Sequence, residues 1–344
     1  MRSLFQAFLL LKQGGTQGLK RVLRAGKEKG MRNRLLNRIL VGWIIVIVIV
    51  ALVGDVTVAA SNNGRTSADF LQIGLGARAA GLGGAFTAVS EGPVASYWNP
   101  AGLSRLPGRQ VSLGHFAWFQ DVTLEHGTFA FPVWDDIAMA VSVTYLNYGQ
   151  IDGYDINGLS TGELSAHDIS AGLSLGADLS DDLSVGITVK YISQSMDIYR
   201  ASTNAVDLGV KYYLDNVTLA AAVSNLGTKL TFYKESENLP AAARLGLAVS
   251  PFRSNLLVAV ELEKEFYGDI TFRQGVEVDF EGRYHLRTGY DYRAGADGGS
   301  FVNGLSMGAG VSLDFAEFDY AFTPRSNAAS EDLHRFSINF KLDR

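Results

Sequence analysis

Cysteine is absent from the 344 residues, which excludes a disulfide framework and any thiolate metal site. Long apolar runs are nearly absent too. Only Ile39–Gly54 approaches the ~18 residues that a spanning helix needs, so the rest of the chain, if it crosses a membrane, crosses as strands. Basic charge is missing from most of the length. Ten of the 30 Lys and Arg fall in residues 1–60 beside only Glu28 and Asp55, which leaves 20 basic against 33 acidic residues in 61–344 and a net charge of −13 there. Such an acidic body lacks the clustered positive charge that a nucleic-acid partner requires. The five histidines, His115, His126, His167, His285 and His334, show no metal-ligand spacing. No GxSxG elbow singles out a nucleophile. Asp135-Asp136 and Asp181-Asp182 read as turn residues rather than an acid/base couple. No enzyme, cofactor or metal is expected.

Glycine and aromatics are plentiful, with 38 Gly, 19 Phe and 14 Tyr against 7 Pro. Small residues suit a crowded barrel lumen, and aromatics suit lipid interfaces. The basic head reads as targeting. Met31-Arg32-Asn33-Arg34 and Arg38 form a positive region, Ile39–Gly54 an apolar one, and Val58-Ala59-Ala60 a cleavage site before Ser61. Residues 1–30 then form an upstream extension, with Met31 the expected start and cleavage expected after Ala60. An uncleaved anchor is the other reading of the same run.

From Gln110 onward the sequence alternates with period two, the mark of a sheet with two unlike faces. Ile137, Met139, Val141, Val143 and Tyr145 share one face, and Ala138, Ala140, Ser142 and Thr144 the other. Leu183, Val185, Ile187 and Val189 oppose Ser184, Gly186, Thr188 and Lys190. A soluble sandwich also alternates, but its polar face carries Lys, Glu and Thr; here that face is mostly Gly, Ser and Ala. Side chains converging inside a closed wall explain this, and closure leaves no exposed edge in lipid. Fourteen such runs fit between 110 and 342. Connections near 135–136, 181–182, 215–216, 251, 281–283 and 315–316 are tight, while 148–166, 227–240, 292–303 and 324–332 are expected as longer loops. The expected fold is all-β: an antiparallel transmembrane barrel of about fourteen strands over 109–344, in a bacterial outer membrane and in contact with its lipid. Trp98, Trp118 and Trp134 flank strand ends and are expected as interfacial anchors.

One hairpin can be read more finely. A three-residue turn, Glu281–Arg283, sets Asp279 opposite His285, Glu277 opposite Arg287 and Arg273 opposite Asp291. Opposite charges then face each other on the lumen side, where such pairs are mildly stabilising.

Residues 61–108 break the strand pattern and are expected to form an N-terminal plug. Gly74-x-Gly76-x-x-Ala79 superficially matches a dinucleotide fingerprint, but no βαβ unit surrounds it. Glycine for close packing is the preferred reading. The stretch "GARAAGLGGAFTAVSEGPVASYWNPAGLSRL" resembles the N-terminal signature of the PorV/PorQ family, a branch of the FadL-type outer-membrane barrels. "HFAWFQDVTLEHGTFAFPV", "VSNLG" and "FDYAFTP" resemble it as well, over roughly 65–342. The resemblance marks Gly76, Arg78, Gly81, Gly84, Trp98, Asn99, Pro100 and Gly102 as the plug motif. It implies a fourteen-stranded barrel around a plug. Its closer branch implies a secretion-related, type IX-like surface-assembly component that meets secretion proteins or cargo. The wider FadL type implies the alternative, a channel for long-chain fatty acids or other small hydrophobic molecules.

Overall fold

The computed structural model describes residues 66–118, 121–251, 255–293, 301–324 and 332–343. The expected leader, start and cleavage site lie outside the described residues. The first half of the wall comprises β1 (Gln110–Ala117), β2 (Thr123–Trp134), β3 (Ile137–Tyr154), β4 (Ser160–Ser180), β5 (Leu183–Met196), β6 (Tyr199–Leu214) and β7 (Val217–Gly227). The second half comprises β10 (Ala242–Val249), β11 (Leu256–Glu265), β12 (Ile270–Phe280), β13 (Tyr284–Arg293), β14 (Leu305–Ser312), β15 (Ala316–Thr323) and β16 (Leu333–Lys341). Between the halves, β8 (Leu230–Phe232) and β9 (Glu235–Glu237) form a separate two-stranded ribbon.

These fourteen wall strands close into an antiparallel barrel. Gly114 of β1 faces His126 of β2 on one side and Ser337 of β16 on the other, so the first and last strands seal the sheet. Burial is inverted relative to a soluble protein. Leu173, Val189 and Leu208 are about half exposed on the outer face, whereas Ser174, Thr188 and Asp207 are buried on the inner one. Exposed aliphatics around a polar interior are what hydrocarbon outside and a filled lumen inside require.

Two regions differ from the sequence expectation. Residues 148–166 are largely strand: the β3–β4 ladder continues past a bulge at Asn147/Gln150 up to Tyr154 opposite Ser160. Gly149, at φ +73°, takes up the irregularity, and beyond it the hairpin rises above its neighbours. The expected loop at 227–240 contains β8 and β9.

Residues 66–109 lie against the inner face of the wall. They form a 3-10 turn (Asp69–Gln72), α1 (Ala77–Gly81), α2 (Ala95–Trp98) and a second 3-10 turn (Pro100–Leu103). Pieces this short are not stable helices in isolation. Packing and local bonds hold them. Asn99 caps the second turn, its Oδ1 accepting from Ala101 N at 3.2 Å, with Pro100 in the first position where no amide is needed. Leu82, Phe86, Ala95 and Leu103 are almost wholly buried.

Inward glycines make room for this segment. A Cβ on Gly186 would collide with Pro100, and one on Gly289 with the Leu82–Gly83 backbone. Glycine on the polar face is therefore the imprint of the chain folded inside.

Candidate functional site

A cavity of about 850 Å³ lies between the N-terminal segment and the β10–β16 wall, reaching across to Phe116 of β1. That is within the ~300–1,000 Å³ usual for small-molecule sites. Its floor is Ala80, Gly83 and Gly84, and its lining combines six aromatic side chains, Tyr97, Trp98, Phe116, Trp118, Tyr290 and Tyr292, with seven charged ones. Wall residues such as Ser306, Thr323 and Leu333 lie at or beside the ends of β14–β16 that carry the longer connections. The cavity therefore belongs to that end of the barrel, called the loop end below. The opposite, turn end carries the tight connections.

Aromatic packing fixes the floor. Trp98 stacks edge-on against Phe86 and Tyr97, with ring centroids 5.7 and 5.2 Å away. Its indole N–H donates to Leu75 O at 2.9 Å. Trp98 is thus a buried internal residue, not the interfacial anchor expected of it, because α2 folds inside the wall. Trp118 lines the cavity, and Trp134, 66% exposed at the turn end of β2, remains in an anchoring position. Tyr97 donates its hydroxyl to Leu71 O at 2.9 Å, and burial pushes that hydroxyl up to about 12.

Charges border the cavity in a chain of paired groups. Arg273 reaches Glu263 at 2.8 Å, Glu261 at 3.3 Å and Asp291 at 3.3 Å. Arg244 bonds Glu263 from the other side and lies 5.5 Å over the Trp98 ring. Glu261 also accepts the Phe86 and Thr87 amides at 3.1 and 2.8 Å. One carboxylate thus ties the segment to the wall. Buried charges persist only when paired and hydrogen-bonded in this way.

A second network lies on the turn-end side of α1. Arg78 makes a bidentate pair with Glu277, at 2.9 and 2.8 Å. Arg287 donates to the same carboxylate at 2.5 Å, to Asp319 at 2.5 Å, and lies 3.5 Å from Glu317.

The register sets Asp279 opposite His285, Glu277 opposite Arg287 and Arg273 opposite Asp291. His285 Nδ1 lies 3.1 Å from Asp279 and Nε2 lies 2.8 Å from Ser312 Oγ, outside the cavity lining. Of the motif residues, Gly84, at φ +81°, approaches Arg273, and Gly81 touches Gly308. Gly76, at φ +86°, precedes α1. Asn99 donates to Thr87 O at 3.3 Å and Val210 O at 3.1 Å, while a Cβ on Gly102 would strike Ser90 O. Sequence reading missed Arg244, Glu261, Glu263 and Asp319. The alternation in "VELEKE" puts Glu261 and Glu263 on one face of β11, a signal that was present; their partners on β10 and β12 were not visible in it.

The fold is that of the FadL-type channels. Similar structures include the Pseudomonas putida toluene transporter TodX, at TM-score 0.59 and 15% identity over 78% of this chain and 97% of that one. The Ralstonia pickettii toluene transporter TbuX follows, at 0.57 and 15%, over 78% and 99%. A Pseudomonas aeruginosa FadL homologue gives 0.54 and 12%, over 78% and 98%. No family model matches the sequence, and neither does any curated protein. These neighbours overturn the expectation of a secretion-related component. They are hydrophobic-compound channels, and nothing among them supports the PorV/PorQ branch or secretion partners.

Proposed function

We propose that this chain is an outer-membrane channel for small hydrophobic molecules, with the N-terminal segment as its plug. The carrying observation is the 850 Å³ cavity, with six aromatic side chains in its lining, between that segment and the wall of a barrel with an apolar outer face. Short turns in such barrels face the periplasm and long loops face outward, so the cavity lies on the outer side. Substrate would enter from outside, lie against Trp98, Trp118 and Phe116, and pass inward around the plug. The transporter names of its structural neighbours support the same reading. Arg244, Glu263, Arg273 and Asp291 of the lining pair with one another, and the aromatic rings beside them offer contact to an uncharged guest.

The tryptophans give a test. Bromine quenches indole fluorescence on contact, so titrating the detergent-purified protein with 4-bromotoluene should quench Trp98 and Trp118 saturably. In protein beginning at Ser61, which lacks Trp43, Trp98→Phe plus Trp118→Phe should leave only the weak, linear quenching of Trp134. Identical, non-saturating curves for both proteins would contradict binding in the cavity.

A further inference from the structure

The two arginines at the inner edge of the cavity are not equivalent. Arg273 commits all three of its nitrogens to carboxylates, Nε to Asp291, Nη1 to Glu261 and Nη2 to Glu263. Glu263 in turn holds Arg273 with one oxygen and Arg244 with the other.

Arg244 keeps capacity in hand. It lines the cavity from β10 with its side chain only 7% exposed, and its bond to Glu263 leaves from Nε. A guanidinium carries five N–H donors in a planar fork, so the four on the two terminal nitrogens are left over. Among the described residues these four meet no acceptor, yet they are not sealed inside protein. They open on the cavity.

An aromatic surface lies beside these donors. The Arg244 guanidinium carbon is 5.5 Å from the centre of the Trp98 ring. Gly74 and Gly84 line the cavity at the same place. A Cβ on Gly74 would lie 3.2 Å from Trp98 Cη2, and one on Gly84 3.8 Å from it. The two glycines thus leave that edge of the indole uncovered, where a second ring can pack. A guest that was purely hydrocarbon would drive water from Arg244 and leave charged donors bare, which is costly. A guest with an oxygen acceptor would replace the water instead. Charge limits the choice further. Arg244 and Arg273 stand among Glu261, Glu263 and Asp291, one carboxylate in excess, so an anionic guest meets repulsion and a neutral one does not.

We infer that the cavity holds a selective site for an uncharged aromatic aldehyde or ketone, with the guest's ring against Trp98 and its carbonyl oxygen accepting from the terminal N–H groups of Arg244. The inference rests on the channel reading above and narrows its substrate class.

Acetophenone and α-methylstyrene test this, since they share a shape and differ in C=O against C=CH2. The hydrocarbon leaves water more readily, so aromatic contact alone would favour it. Equilibrium dialysis of the radiolabelled guests against the detergent-purified protein, with protein-free micelles subtracted, is expected to show acetophenone binding about tenfold tighter. The infrared stretch of its ¹³C-labelled carbonyl should fall below the frequency in micelles. Arg244→Met removes the donors and leaves Glu263 its 2.8 Å bond from Arg273. It should reverse the order of the two guests, return the carbonyl to its micelle frequency and leave α-methylstyrene binding unchanged. Tighter binding of α-methylstyrene by the native protein, or a preference for acetophenone that survives Arg244→Met, would overturn the site. Benzoate binding tighter than acetophenone would overturn the uncharged class. If Arg244→Met does not assemble, seen as loss of the compact, heat-modifiable gel band, the carbonyl frequency in the native protein decides, and an unshifted band overturns the proposal. Binding of neither aromatic guest would instead remove the channel reading, and this site with it.

Discussion

At the residue scale, the lumen is governed by two kinds of position: glycines that admit another backbone, and charges that must find partners. Gly289 and Gly114 both face inward, but a Cβ at Gly289 would collide with Gly83 N, whereas one at Gly114 would have its nearest neighbour at 3.8 Å. Gly289→Ala should therefore destabilise the folded barrel by about 1–3 kcal/mol, the usual cost of overpacking. Gly114→Ala should be close to neutral. Urea unfolding in detergent, followed by gel mobility, distinguishes the two. Arg287→Leu should cost more, about 3–5 kcal/mol, since Glu277 would keep Arg78 alone and buried Asp319 would lose the guanidinium at 2.5 Å. Recovery with the double change Arg287→Leu and Asp319→Leu would identify the stranded charge as the cause; no recovery would point to lost packing.

Elements show where the sequence is readable and where it is not. Alternation delimits the strands because each wall position has one of two environments. The same alternation cannot show that β3 and β4 remain paired above the barrel, since the exposed polar residues from Gln150 to Ser165 look like a loop. Nor can it show which inward charges meet. Glu261 and Glu263 find Arg273 and Arg244 on neighbouring strands, and Arg78 reaches Glu277 from the inner segment. Those contacts depend on stagger between strands and on the path of residues 66–109, which carry no periodic signal. Trp98 misled for the same reason: its place near a strand start in sequence gives no hint that α2 turns inside. The closing seam offers an element-scale prediction. Asp343, just past β16, accepts from the Arg109 amide at 2.6 Å and its guanidinium at 2.7 Å. These bonds hold the Asp343 carboxyl below its ordinary value. The clasp should thus be fully formed above the unfolded carboxylate value of about 3.9 and lost as pH falls through the lower folded value. Hydrogen exchange at Arg109 should be slow at pH 6 and accelerate, after correction for intrinsic rates, only in strong acid. Equal protection in Asp343→Asn would show that the clasp contributes nothing.

The whole molecule couples a rigid wall to an inner segment bonded to it at Glu261 of β11, Glu277 of β12 and Lys211 of β6. Removing residues 66–108 should leave the β1–β16 pairing intact, since those ladders involve only wall strands. It should, however, open the lumen, so planar-bilayer conductance should rise from near zero to porin-like levels. A closed, non-conducting barrel after this deletion would mean that the segment is not the plug. The same architecture predicts selectivity by polarity, because the cavity offers aromatic rings beside Arg244, Glu263, Arg273 and Asp291, which pair with one another. The central claim, a channel for small hydrophobic molecules, is tested most directly by comparing uptake of radiolabelled toluene and radiolabelled glucose in cells with and without the protein. Toluene entry accelerated by the protein, with glucose entry unchanged, is the expected result. Acceleration of both would make the chain a general pore, and acceleration of neither would contradict the channel altogether.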